Sequence, residues 1–256
     1  MNSKWFGVRI INICALDIGK KHDTVVAGKD GIMAKRDIRF FVYGNQSFPV
    51  DHAYSLFVTL SRIWPQIHND KFPISKDIGI RPIKGENIGN RQMRVSDGSY
   101  FVVRASDTYL DGLIRNLSQQ FIRLGDTKLF IGRYQVMPIS SCSVLYSPLV
   151  VISDAKEKES FLANVSLSLE RLGIKANIRI PERKNKVSVD SGKKMVPGRE
   201  LLRRTVYIGG EHKTTLAGYA LEVKSLNDKD SVLLQEVGIG GRHKFGCGLF
   251  FPGKTS

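Results

Sequence analysis

The sequence predicts an α+β fold made of two tandem β-α-β-β-α-β units, and three observations carry that expectation. Over residues 35–140, strand-like and helix-like hydrophobic patterns follow the order strand, helix, strand, strand, helix, strand. The same order recurs, less sharply, over residues 145–256. The 256 residues, 42% of them hydrophobic, are enough for two packed cores of about 100 residues each. A unit so ordered is ferredoxin-like. Residues 1–34 fit neither unit and stand as an unassigned N-terminal extension.

In the first unit, Ile38-Arg39-Phe40-Phe41-Val42-Tyr43 reads as a strand. Asp51, with Pro49 before it, is the expected N-cap of a helix running to about Ile67. Ala53, Leu56, Phe57, Leu60, Ile63, Trp64 and Ile67 share one face of that helix. Ile78–Ile83 and Tyr100–Arg104 follow as strands around a loop holding Gly85, Asn87, Gly89 and Asn90. A helix over about Asp107–Phe121 and a strand over Lys128–Val136 complete the unit.

The second unit opens with the strand Leu149–Ile152 and the amphipathic helix Lys156–Leu172. Ile178–Ile180, Thr205–Ile208 and Thr215–Val223 read as strands, and Asp230–Val237 as a short helix before a glycine-rich loop and a last strand. Residues 183–204 interrupt this order as a mobile basic hairpin or loop. Arg183, Lys184, Lys186, Lys193, Lys194, Arg199, Arg203 and Arg204 face only Asp190 and Glu200 there. Eight cations so concentrated repel one another unless a polyanion is present.

Charge points the same way. The 39 Lys and Arg against 24 Asp and Glu leave +15, which suits nucleic acid or an anionic surface. A membrane is disfavoured, because no run approaches the ~18 uninterrupted apolar residues of a spanning helix. Arg9 and Asp17 interrupt the apolar stretch 5–18 and argue against a signal peptide. Cys14, Cys142 and Cys247 are few, odd in number and widely spaced, which fits a reducing cytoplasm.

The run Gly238-Ile239-Gly240-Gly241-Arg242-His243-Lys244-Phe245-Gly246-Cys247-Gly248 holds five glycines and three side chains able to carry positive charge. Glycines allow a ligand close to the backbone, exposed N–H groups can line an anion site, and Arg242, His243 and Lys244 add charge. The run follows a helix and precedes a strand, the reverse of a nucleotide-binding loop, and no Gly-Lys-Ser/Thr triplet is present.

This run resembles the C-terminal signature of the RAMP superfamily, most closely its CRISPR repeat-processing endoribonucleases. Phe48-Pro49-Val50-Asp51-His52-Ala53-Tyr54-Ser55-Leu56-Phe57, with Leu60-Ser61-Arg62-Ile63-Trp64-Pro65, resembles the first helix of a compact type I subtype. Gly218-Tyr219-Ala220 and Ser231-Val232-Leu233-Leu234-Gln235 are similar to it as well. The resemblance spans about Arg36 to Pro252. It implies two tandem ferredoxin-like (RRM-like) units and metal-independent cleavage of CRISPR precursor RNA, leaving 2′,3′-cyclic phosphate and 5′-hydroxyl ends. It also implies that the enzyme stays on the 3′ hairpin of its guide RNA, beside other subunits of a surveillance complex.

RNA supplies its own 2′-hydroxyl as nucleophile, so the protein needs proton transfer and charge stabilisation. No HExxH, Cys-x-x-Cys or dense carboxylate cluster is present, so neither a metal nor another cofactor is expected; His22-Asp23 lacks partner motifs. Of the five histidines, His52 is the expected base, in the first helical turn where the macrodipole favours a neutral ring. Ser55, Thr59 and Arg62 lie within about 80° of it on a helical wheel. The resemblance places a catalytic histidine in this helix, with the second catalytic group left open. Expected catalytic residues are His52, Arg62 and Tyr54. Expected RNA contacts are the eight cations of 183–204, with Gly238, Gly240, Gly241, Arg242, His243, Lys244, Gly246 and Gly248. His243 is the alternative base, and His68 reads as a cation at a helix C-terminus. A non-catalytic RAMP subunit that caps guide RNA would share the same charge and loop. A generic RNA-recognition-motif protein would show exposed aromatics on central strands, for which Phe40, Phe41 and Phe101 are available.

Overall fold

The computed structural model describes residues 34–253, apart from 154, 156, 183, 190, 191, 198–200 and 209–211. The expectations for residues 1–33, the His22-Asp23 pair, Arg183 and Arg199 lie outside the described residues. The described chain is mixed α/β with antiparallel sheets.

The first half runs β1 (Lys35–Tyr43), β2 (Ser47–Pro49), α1 (Ala53–Ile63), α2 (Ile74–Asp77), β3 (Gly79–Lys84), β4 (Glu86–Gly89), β5 (Gln92–Arg94), β6 (Tyr100–Ser106), α3 (Leu110–Leu117), β7 (Phe121–Leu124) and β8 (Thr127–Pro138). Its main sheet has the order β3-β6-β1-β8-β7. Alternation along β1 sends Ile38, Phe40 and Val42 into the core, where Phe40 stacks on Phe101 of β6 at 5.2 Å. Leu56, Phe57 and Leu60 of α1, with Leu113 and Leu117 of α3, cover that face.

The second half runs β9 (Val144–Val150), α4 (Lys158–Arg171), β10 (Asn177–Arg179), β11 (Lys184–Val189), β12 (Gly192–Pro197), β13 (Leu201–Ile208), β14 (His212–Lys224), α5 (Asp228–Val237) and β15 (Phe251–Pro252). Its sheet has the order β10-β14-β9-β15, and β13 pairs with the first part of β14. Phe161, Val165 and Leu169, spaced i, i+4, i+8 on α4, pack with Leu145, Leu221 and Val223. Asn227 caps α5 through its side chain, which accepts the Asp230 N–H.

Arg104 of β6 ties the two halves together. Fully buried, it makes two bonds to the Asp37 carboxylate, at 2.7 and 2.9 Å. It also donates to the Gln235 and Phe250 carbonyls of the second half. Pairing with a carboxylate and hydrogen bonds from four of its five N–H donors make such a buried charge tolerable.

Several local expectations are corrected. His52, not Asp51, occupies the N-cap of α1, while the Asp51 carboxylate pairs with Arg91. The helix stops at Ile63 because Pro65 forces Trp64 into an extended conformation; a 3₁₀ turn then carries Pro65–Ile67. The loop expected over 85–90 is the β4–β5 hairpin, turned by Asn90 and Arg91 at positive φ. The helix expected over 107–121 is a 3₁₀ turn, then α3, and Phe121 already belongs to β7. The second unit's first strand starts at Val144, ahead of the expected Leu149. In the basic segment, β11 and β12 form a hairpin that pairs Lys184 with Pro197 and Ser188 with Lys193. No helix among the described residues is long and apolar enough to cross a membrane.

Candidate functional site

While one face of α1 enters the core, Tyr54, Val58, Ser61 and Arg62 form an adjoining stripe at i, i+4, i+7, i+8. That stripe lines a cavity of ≈ 670 Å³ completed by Phe57, Pro65, His68, Asn69 and Asp70. A second cavity, ≈ 370 Å³, is walled by Ser75, Lys76, Ile78 and the segment Gly241–Phe245 of the glycine-rich loop. Both share Phe57, His68 and Asp70. The two are therefore halves of one groove between α1 and the glycine-rich loop, with exposed His68 standing where they meet.

Aromatic edges hold the loop against the helix. Phe245 meets Tyr54 at 5.4 Å and Phe57 at 5.2 Å, both edge-on, and Phe57 meets His68 at 5.7 Å. Lys244 Nζ sits 3.6 Å from Asp70 Oδ1 and 5.8 Å from the Phe57 ring centroid. The Ser75 hydroxyl donates to Asp70 at 2.8 Å. That hydrogen bond, followed by the Lys244 charge, holds the Asp70 carboxyl below its ordinary value. Arg242 is exposed in the left-handed region at φ 67°, a conformation costing a non-glycine residue about 1–2 kcal/mol.

Four of the five loop glycines pack closely against the protein itself. The N–H groups of Ile239, Gly241 and Gly248 bond to the carbonyls of Gly248, Val151 and Leu149, so they are committed within the protein. A Cβ on Gly238 would lie 2.6 Å from the Gly248 carbonyl oxygen, and one on Gly248 would lie 2.1 Å from that of Ile239. Both would also press on the His243 ring, at 3.0 and 3.1 Å. The loop is wrapped around His243. Gly240 and Gly246 lie equally close to Val151 and Pro82, whereas Gly241 is open. Burial, then the Lys35 charge, pushes His243 below the ordinary histidine value, and its buried Nε2 has no hydrogen-bond partner.

His52 lies elsewhere. Its ring is 2% exposed, edge-on to Phe48. Its Nε2 accepts the Ile83 N–H at 3.0 Å, which puts the proton on Nδ1, within 2.9 Å of the Pro49 carbonyl and 3.0 Å of that of Val50. This geometry staples the α1 entry to β3 and leaves neither nitrogen facing the groove. The expected stripe of His52, Ser55, Thr59 and Arg62 is likewise divided. Thr59 donates to the Arg123 carbonyl of β7, while Arg62 lines the groove. Of the three expected catalytic residues, Tyr54 and Arg62 come together there and His52 does not. His68 was expected only as a cation at a helix C-terminus and Asp70 was missed; the signal available was a His and an Asp two apart, just after a helix-ending proline. The backbones of Lys184, Lys186, Lys193, Lys194, Arg203 and Arg204 lie in β11, β12 and β13.

Comparison with known proteins supplies the family context. A family model described as "Cas6 Crispr" matches residues 37–255. A protein of Myxococcus xanthus (strain DK1622), "CRISPR-associated endonuclease Cas6", is 29% identical over 224 residues, covering 86% of this chain and 83% of its own. A solved "CRISPR associated protein Cas6" superposes with a TM-score of 0.52 at 13% identity, over 86% of this chain and all of that one. A solved "RAMP protein binding different RNA substrates" superposes with a TM-score of 0.51 at 10% identity, over 85% and 98%. The structural matches speak to the fold.

Proposed function

Because this chain belongs to the Cas6 family, we propose that it is an endoribonuclease that cuts CRISPR precursor RNA within its repeats, in the groove between α1 and the glycine-rich loop. The observation that carries this reading is the position of His68. It stands at the junction of two open cavities, with Tyr54 and Arg62 on one side and Arg242 and Lys244 on the other.

The proposed reaction is a transesterification. An imidazole is the side chain best suited to proton transfer near neutral pH, and His68 takes the proton of the 2′-hydroxyl. The resulting oxygen attacks the adjacent phosphorus, and cations within reach of the groove stabilise the charge on the phosphorane. Lys244, Arg242 and Arg62 are placed for that work. The P–O5′ bond breaks, the 5′-oxygen leaves as a hydroxyl after taking a proton, and a 2′,3′-cyclic phosphate remains. Tyr54 is a candidate for the leaving-group proton. His52 is assigned a folding role because both its nitrogens are committed to main-chain groups.

The architecture proposed for this work is the tandem ferredoxin-like one. Supporting it, each sheet places its first strand between its third and fourth, with the second strand at an edge beside the third: β3-β6-β1-β8 and β10-β14-β9-β15. We assign residues 35–140 and 145–256 to these two units. The β11–β12 hairpin, with Arg203 and Arg204, is proposed to hold the 3′ hairpin of the product, so that the enzyme stays on the guide RNA within a surveillance complex. A cytoplasmic setting is proposed from the few, odd-numbered and widely spaced cysteines Cys14, Cys142 and Cys247.

The test is to incubate purified protein with end-labelled repeat RNA in excess EDTA. One cut is expected, and it should vanish when the scissile 2′-hydroxyl is replaced by hydrogen. Cutting of the deoxy substrate at the same place would overturn the internal nucleophile. Tight binding with no cutting of either RNA would favour the guide-capping role.

A further inference from the structure

The outer face of the first sheet carries rings across four strands. Register sets Phe121 of β7 opposite Phe130 of β8, Phe130 opposite Tyr43 of β1, and Phe41 of β1 opposite Tyr100 of β6. Residues directly opposite share a face, and Tyr43 and Phe41 share one by alternation, so the five rings form a continuous row. Phe121–Phe130 and Phe41–Tyr100 are separated by 5.1 and 5.9 Å. Phe121 is 59% exposed and Tyr43 47%. Tyr43 lies across Gly132, where a Cβ would come within 2.5 Å of the ring.

Three of the five rings, Phe121, Phe41 and Tyr100, have a cation over them. Lys128 Nζ is 4.1 Å from the Phe121 ring centroid, Arg133 Cζ 4.3 Å from Phe41, and Arg39 Cζ and Lys84 Nζ 5.0 and 5.8 Å from Tyr100. Among the described residues none of these four forms an ion pair. The other side of the same face is closed. Arg81 and Arg104 lie over Phe251, and Val102 packs with Leu249 and Phe251.

We propose that this open aromatic row binds single-stranded RNA, with bases stacked on the rings and phosphates met by Arg39, Lys84, Lys128 and Arg133. A protein partner would suit the rings, but four unpaired cations repel one another and call for a polyanion. Base stacking on exposed sheet aromatics tolerates sequence, and a four-stranded sheet with such rings holds about two or three bases. The proposal does not depend on where, or whether, the groove cuts RNA.

The probe is a fluorescent ten-nucleotide oligouridine, which forms no hairpin, titrated by anisotropy at fixed salt. The combined Phe41→Ala, Tyr43→Ala and Phe121→Ala variant should weaken its binding at least ~10-fold. Tyr43→Phe with Phe121→Tyr should retain it. Arg39→Gln, Lys84→Gln and Arg133→Gln together should flatten the salt slope by up to ~0.7 per lost contact. In the unmodified protein, 4-thiouridine oligonucleotides should photocross-link to peptides holding Tyr43 or Phe121, an arm that needs no variant to fold. Unchanged affinity in the alanine variant with an unchanged circular dichroism spectrum overturns the proposal, as do cross-links confined to other peptides. Loss of self-association without loss of RNA affinity also overturns it and makes the face a protein interface.

Discussion

The histidines at the two ends of α1 share one side chain and have opposite surroundings. His52 is enclosed at the helix entry, with Phe48 against its ring and main-chain groups at both nitrogens. His68, past the proline-terminated exit, touches Phe57 and otherwise opens onto two cavities. Residue type and helix position favour His52 as a base, since the first turn favours a neutral ring. Accessibility reverses the choice. The reversal depends on β3, more than 25 residues downstream of the helix start, whose Ile83 N–H takes up His52 Nε2.

The largest expected effect comes from breaking the open end. His68→Ala should slow cleavage of repeat RNA by ~10²–10⁴-fold, the usual contribution of a positioned acid or base. Repeat affinity and melting temperature should stay near the parent values, because an exposed side chain with one ring contact contributes little to folding. Single-turnover rates at saturating protein would decide it; a rate within threefold of the parent would remove His68 from the reaction.

The sealed end should give the opposite pattern. His52→Ala strands the Ile83 N–H and opens a void beside Phe48, together costing about 2–4 kcal/mol of stability. Urea unfolding would measure it, and cleavage per folded molecule should persist. If His52→Ala instead folds like the parent and fails to cut, the assignments of the two histidines must be exchanged.

Legibility followed the range of the interactions involved. The strands β1, β6 and β8 and the helices α4 and α5 could be read from local periodicity, because each buries one face and the pattern repeats within the segment. β7 could not be distinguished from the end of the preceding helix, since four residues are too few to separate the two periods. The groove was half legible: Tyr54, Arg62, Arg242 and Lys244 were singled out by type. Asp70 and His68 join them only through the contact of Phe245 with α1, between residues some 190 apart in sequence. The glycine-rich loop was legible as a site, but not its packing against the rest of the protein. Its glycines make room for the protein's own backbone and for His243, which no spacing rule reveals.

His243 stands between the two extremes, its side chain partly exposed but its Nε2 buried without a hydrogen-bond partner, and it gives the smallest and sharpest test. Its folded-state pKa is depressed by burial, so the folded protein disfavours the charged ring. Above about pH 6.5, the value of an unfolded histidine, both states are neutral there and the residue adds no pH dependence. As pH falls below that value the unfolded chain binds a proton that the folded chain resists. Stability is therefore lost until the folded pKa is reached, at no more than about 1.4 kcal/mol per pH unit for one proton. The Asp70 carboxyl, held below its ordinary value, titrates further into acid and stays out of this window. Melting temperatures at pH 7.5 and 5.5 should thus fall further for the parent than for His243→Gln, which keeps a polar side chain but cannot take up the proton. Equal falls would mean that the ring reaches solvent and that the glycine-rich loop opens more readily than its packing around His243 implies.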